Sequence, residues 1–251
     1  MSKVKRIAMW CAPRTVSTAL LRSFVQRMDT TGLDEPLYAH YLTTTGKQHP
    51  MNEEVLAAQS QDWREVLEGE LLGYCPTPVL FVKHMAHHLV GDVDFQALNT
   101  EDSRHAFLIR HPRELLPSLL LGLGKVEQED TAYGQQAELF DFLKENGRPP
   151  VVVDSKDIQE HPEAMLKALC QALDLPFDAS MLSWVPGRHP AYGVWAPHWY
   201  ANVEKSSGFQ PYRPKTEPFP ESLQSLYEWA LPLYEKMAAV RLRPLEESER
   251  S

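Results

Sequence analysis

Five short strand-like runs, at residues 4–11, 31–34, 78–83, 106–109 and 151–153, recur along the chain with helix-spaced stretches between them. The longer runs are continuously apolar rather than alternating, the pattern of strands covered on both faces. Residues 17–27 place Leu20, Leu21, Phe24 and Val25 on one helical face, and residues 222–240 do the same with Leu226, Trp229, Leu233 and Met237. Further helices are expected over 52–72, 113–121, 132–145 and 161–173, the last with Pro162 in its first turn. Strands alternating with helices require right-handed crossovers, so the expected fold class is α/β, a mainly parallel sheet with helices on both faces.

A chain of 251 residues suits one such domain spanning 1–251. Within it, residues 183–220 break the pattern: rich in Trp, Pro, His and Gly and poorly periodic, they read as a segment covering a substrate or nucleotide. The acidic tail 246–251 is expected to fray. A formal charge of −9 argues against a general nucleic-acid binder, whose affinity rests on excess Lys and Arg. Cys11, Cys75 and Cys170 have neither disulfide nor zinc-ligand spacing, so no metal is expected. The apolar run after Lys3, Lys5 and Arg6 is too short for a signal peptide. No stretch is long enough for a membrane span either, and the cytoplasm is the expected location. Composition leaves monomer and homodimer both open.

Two turns carry the chemistry. The first, Pro13-Arg14-Thr15-Val16-Ser17-Thr18, lies between the first strand and the first helix. Such a turn offers backbone N–H groups at a helix N-terminus, with the Arg14 charge and three hydroxyls beside them, and so suits a phosphate. It lacks the Gly-Lys-Ser/Thr ending of the ATP-binding loop. The second turn, Arg110-His111-Pro112 with Ser118 two helical turns on, follows the fourth strand. Ligands of open α/β sheets bind at such strand ends.

Together these turns resemble the sulfotransferase family that uses 3′-phosphoadenosine 5′-phosphosulfate, whose fold is the P-loop nucleoside-triphosphate-hydrolase type. In that family a Pro-Lys/Arg loop holds the 5′-phosphosulfate, and an arginine followed eight residues later by a serine holds the 3′-phosphate. The resemblance covers residues 4–178 and runs on through His161-Pro162-Glu163 and Leu173-Asp174-Leu175-Pro176-Phe177. It extends more loosely to Lys205-Ser206-Ser207-Gly208, similar to the family's late loop over the 3′-phosphate. Many members have glycine where this chain has Val16. A β-branched residue resists positive φ, so the loop is expected to keep ordinary backbone angles.

The resemblance implies sulfuryl transfer from that nucleotide to a hydroxyl, or an amine, of a small soluble acceptor, without a metal. The proton acceptor stays open between Glu35, which follows the second strand, and the histidines His84, His87 and His88 after the third. Lys83 is implied to assist the leaving oxygen. The alternatives are a P-loop kinase or related phosphotransferase, or a nucleotide-binding protein of the same fold without catalysis. The rings of residues 192–200 are expected either to wall a pocket or to cover the sheet edge.

Overall fold

The structure, a computed structural model, describes residues 3–147 and 149–245; the tail expected to fray lies outside the described residues. Strand β1 (Lys5–Cys11) leads into helix α1 (Ser17–Phe24), then β2 (Thr30–Asp34), α2 (Tyr38–Thr45), α3 (Asn52–Ala58) and α4 (Trp63–Val66). Strand β3 (Val79–Met85), α5 (Phe95–Leu98), β4 (Ser103–Ile109), α6 (Pro112–Leu123), α7 (Tyr133–Glu145) and β5 (Val151–Asp154) follow. Helices α8 (Ser155–Glu160), α9 (Pro162–Ala172), α10 (Ala196–Trp199), α11 (Ala201–Glu204) and α12 (Gln224–Ala238) complete the order.

The five strands form one sheet in the order β2-β3-β1-β4-β5, and every pairing is parallel. All strand C-termini therefore lie on one edge. The chain winds one way from β1 and the other way from β4, so the crevice between these neighbours is the topological switch point.

Alternation along the strands sorts the core into two halves. Ile7, Met9 and Cys11 of β1 and Phe81 and Met85 of β3 pack with α1, α2 and α9. Trp10, Leu80, Val82, Phe107 and Ile109 pack on the other face with α4, α6, α7 and α12. Helices cover both faces, as the continuous apolar runs require.

The single helix expected over 52–72 is two. The chain is extended at Gln59, and the Asp62 side chain caps α4 by accepting from the Arg64 N–H at 2.8 Å. A short polar side chain satisfies the backbone better at a cap than inside a helix, which is why the break falls there. Five of these helices have no counterpart in the sequence reading: α2, α5, α8 and the short α10 and α11.

Candidate functional site

Strand β1 ends at Cys11, and residues 12–16 turn tightly into α1. Arg14 has φ 64° and Val16 φ 58°, while Thr15 between them does not have positive φ. The expectation of ordinary angles at Val16 is corrected: the turn forces left-handed backbone on a β-branched residue. Alternating hands of this kind curl successive N–H groups toward one point, an anion-binding concavity. Three side chains pin its carbonyls. Thr15 Oγ1 donates to Ala12 O at 2.6 Å, Arg110 Nη1 to Arg14 O at 2.6 Å, and Ser155 Oγ reaches Thr15 O at 2.9 Å. Left-handed strain costs roughly 1–2 kcal/mol at a residue with a side chain. Glycine is penalised by roughly 0.5–1 kcal/mol in ordered backbone. Val16→Gly is therefore expected to raise stability by several tenths to about 1 kcal/mol, read from the urea midpoint. A lower midpoint would mean that Val16 packing outweighs the strain.

The two sequence turns meet. Besides the Arg110 bond to Arg14 O, Arg14 Nε donates to Ser118 Oγ at 3.0 Å. Arg110 is itself held by Glu114, 3.3 Å from its Nε, and Tyr133 Oη donates to Arg110 O at 2.6 Å. Desolvation and the Arg110 charge both depress the Arg14 pKa. Two guanidinium groups so close, with one carboxylate between them, leave an excess of positive charge suited to an anion.

A cavity of about 360 Å³ opens over this junction. Arg14, Thr15, Val16, Ser17 and Thr18 line it with Arg110 and Ser118 at one end, and Glu35, His87 and His88 line it elsewhere. A second cavity of about 320 Å³ shares Arg110 and Gln210 with it and is bordered by Arg213. Of the late loop, Ser206 and Gly208 line the first cavity, whereas Lys205 is exposed and borders neither. Ser207 is also exposed and borders neither; its carbonyl instead accepts from the Trp184 N–H at 3.0 Å. Lys205 and Ser207 thus stand apart from both cavities. Short helix α11 ends just before them and turns both side chains outward.

Glu35 sits at φ 44°, another left-handed residue, with its N–H donating to Lys83 O at 2.8 Å. Register makes its surroundings: Asp34 pairs with Lys83 across the parallel β2–β3 ladder, so both side chains emerge on one face. Lys83 is fully buried and donates to Asp34 Oδ1 at 2.7 Å, Glu35 Oε1 at 2.7 Å and Tyr200 Oη at 2.6 Å. Tyr200 Oη accepts from Trp195 Nε1 at 2.9 Å and lies 2.8 Å from Asp34 Oδ2, which also accepts from the Gly193 N–H at 3.1 Å. Thr18 Oγ1, a cavity-lining hydroxyl, also lies 3.5 Å from Lys83 Nζ, so four oxygens surround an ammonium with three donors. Lys83 itself does not line the cavity: it anchors two carboxylates beside it and approaches the lining through Thr18.

The charge balance distinguishes those carboxylates. Asp34 is satisfied at both oxygens, whereas the bonds to Glu35 converge on Oε1 among the described residues. One cation serves two acids. Burial, opposed by Lys83 and reinforced by Asp34, pushes the Glu35 pKa above the ordinary carboxylate value. A buried, cavity-lining carboxylate with one oxygen unengaged is equipped to take a proton.

The histidines divide. β3 extends to Met85, so period-two alternation sends His84 to the face opposite Lys83, where it stacks on Trp10 at 4.1 Å. His84 is absent from the cavity lining. His87 and His88 do line the cavity, in the turn after β3. Burial pushes His87 down to about 3 and His88 well below its usual value, so both are neutral at neutral pH. Cys11 is buried, and desolvation raises its thiol pKa far above the range of a reactive cysteine. Among the described residues no group of three or more His, Cys, Asp or Glu is placed to hold a metal ion, and no helix is long and apolar enough to cross a membrane.

Sequence reasoning assigned no role to Asp34, and named Tyr200 only within an aromatic stretch. The ladder register that joins Asp34 to Lys83 has no local signature. Tyr38 and Tyr41, on α2, also line the cavity, and their i, i+3 spacing with Leu42 was the available signal.

The sulfotransferase domain model matches residues 5–241, and the chain belongs to the sulfotransferase family. Two Arabidopsis thaliana proteins, branched-chain-amino-acid aminotransferase-like proteins 1 and 2, are each 36% identical to it, over 93% and 90% of the chain. The chain spans only about two fifths of their length, 42% and 40%. Among solved structures, a sulfotransferase from Alicyclobacillus acidocaldarius superposes with a TM-score of 0.59 at 12% identity, over 96% of this chain and 98% of that one. The sulfotransferase domain of the Synechococcus olefin synthase gives 0.51 at 15% identity, over 91% of this chain and 95% of that one. These two likenesses concern the fold.

Proposed function

We propose that the protein transfers a sulfuryl group from 3′-phosphoadenosine 5′-phosphosulfate to a hydroxyl, or an amine, of a small acceptor. The observation that carries this reading is the meeting of the cradle and the Arg110 turn, with Arg110 Nη1 bonded to Arg14 O at 2.6 Å. One ligand with phosphate at both ends of a nucleoside satisfies both turns, the cradle at the 5′ end and Arg110 with Ser118 at the 3′ end. The second cavity shares Arg110 with the first and is bordered by Arg213, whose charge would extend the positive region beyond Arg110.

The donor supplies the sulfuryl group: its bond to the 5′-phosphate oxygen breaks as a new sulfur–oxygen bond to the acceptor forms, leaving the bisphosphate. Arg14 and the N–H groups of residues 15–18 stabilise charge on the phosphate and on the equatorial oxygens. Donors fixed before reaction are commonly the largest catalytic contribution. Glu35 Oε2 takes the acceptor proton. Lys83 and Tyr200 hold Oε1 and so orient the carboxylate. The name of the Arabidopsis relatives refers to proteins more than twice the matched length, and no aminotransferase chemistry is carried over.

Isothermal titration with 3′-phosphoadenosine 5′-phosphate against ATP tests the donor. The bisphosphate is expected to bind and ATP to bind far more weakly. Arg110→Ala is expected to weaken the bisphosphate at least tenfold, about 1.4 kcal/mol. Tighter binding of ATP would favour the kinase alternative, and an unchanged dissociation constant for the variant would remove Arg110 from the site.

A further inference from the structure

The cavity is electrically lopsided. Its cations, Arg14 and Arg110, stand at the cradle end, while the acids among its lining residues, Glu35 and Asp130, stand with the rings of α2 and of residues 195–199. Asp130 is neutralised by an ion pair with Lys47, and Asp34 beneath the floor by Lys83. Glu35 shares that same lysine, so the ring end carries the surplus negative charge.

The walls there are π faces. Tyr38 and Tyr41 each stack on His88 at 4.8 Å, Tyr41 meets His87 edge-on at 5.0 Å, and Tyr38 meets Trp195 edge-on at 5.1 Å. Half-buried Trp199 also lines this end. His87 and His88 each leave a buried Nδ1 without a hydrogen-bond partner among the described residues. Desolvation keeps both rings uncharged, so they offer no counter-charge to an anion.

We propose that this ring-walled end is the acceptor subsite and selects ring-bearing alcohols that carry no negative charge, favouring those with a cationic amino group. The class rests on the sulfuryl-transfer reading above; the charge preference rests on the walls alone. With the hydroxyl docked at Glu35, an ammonium at the far end of the ring gains from the ring quadrupoles and, at longer range, from the surplus charge of Glu35. A carboxylate there meets that charge across a desolvated space where the described lining residues supply no free cation.

Three probes that differ mainly in charge test it: tyramine, 4-ethylphenol and 4-hydroxyphenylacetate, titrated calorimetrically into protein with and without saturating 3′-phosphoadenosine 5′-phosphate. Tyramine is expected to bind at least tenfold more tightly than 4-hydroxyphenylacetate, with 4-ethylphenol between them. Trp199→Ala is expected to weaken tyramine at least fivefold and to leave the bisphosphate affinity unchanged. Equal or tighter binding of the carboxylate overturns the proposal, and so does a failure of all three probes at millimolar concentration. Failure of the nucleotide to bind would count against the donor instead, and the probe ranking on nucleotide-free protein would still decide the charge preference.

Discussion

Replacing Glu35 by glutamine is expected to lower kcat by roughly 10²–10⁴, the range that a positioned general base contributes, while the bisphosphate binds as before. The amide is nearly isosteric, and its carbonyl oxygen can still accept from Lys83 and Tyr200. What disappears is the oxygen that takes a proton and the charge that Lys83 shares with Asp34. Folding stability is expected to hold, because the buried carboxylate is the unbalanced member of the cluster. The pH dependence adds an independent readout. Burial raises the Glu35 pKa, so the base is protonated, and activity lost, as pH falls through a value above the ordinary carboxylate range. The acid limb of kcat/KM in the unaltered enzyme is expected there, and the residual activity of the variant is expected to lack it. Unchanged turnover in Glu35→Gln would pass the role to His87 or His88.

Much of this arrangement was legible in the residues, and what was not has a common cause. The strands were readable because a strand buried on both faces is nearly all apolar, and Arg14 and Arg110 because strand ends are where open sheets bind. Their meeting follows from strand order, with β4 beside β1. What a linear reading lacks is register. Ending the third strand at Lys83 left His84 free to face the site; extending it to Met85 turns His84 onto Trp10. Asp34 and Lys83 are neighbours only because β2 and β3 pair in parallel at that step. Val16 failed for another reason. A local preference worth a kcal/mol or two yields when three side chains, from the turn after β4, from α8 and from the loop itself, hold the turn's carbonyls. Arg14, Val16 and Glu35, all left-handed, all border the same cavity, and strain gathered in this way is a mark of function.

Lys83→Met is expected to destabilise the fold by about 3–5 kcal/mol near neutral pH, the cost of leaving a buried charge without its partner. Methionine fills much of the same volume, so the loss is electrostatic rather than a cavity. Two carboxylates, Asp34 and Glu35, would then share a dry site with only the Tyr200 hydroxyl and the Gly193 N–H, among the described residues, to hold them. The sign with pH follows from linkage. With Lys83 present its folded pKa is raised by the acids, so its stabilisation is complete below its unfolded pKa and is lost only as pH rises through the folded value. Without it, both carboxyls would be driven to bind protons in the folded state at pH values where the unfolded chain has released them. The variant is therefore expected to lose stability as pH rises from about 5 to 8, a window in which the parent changes far less. Urea denaturation at both ends of that range would measure it. A deficit of the same size at pH 5 and pH 8 would mean that Lys83 supports the sheet by packing alone, and the case for Glu35 as a tuned base would lose its electrostatic footing.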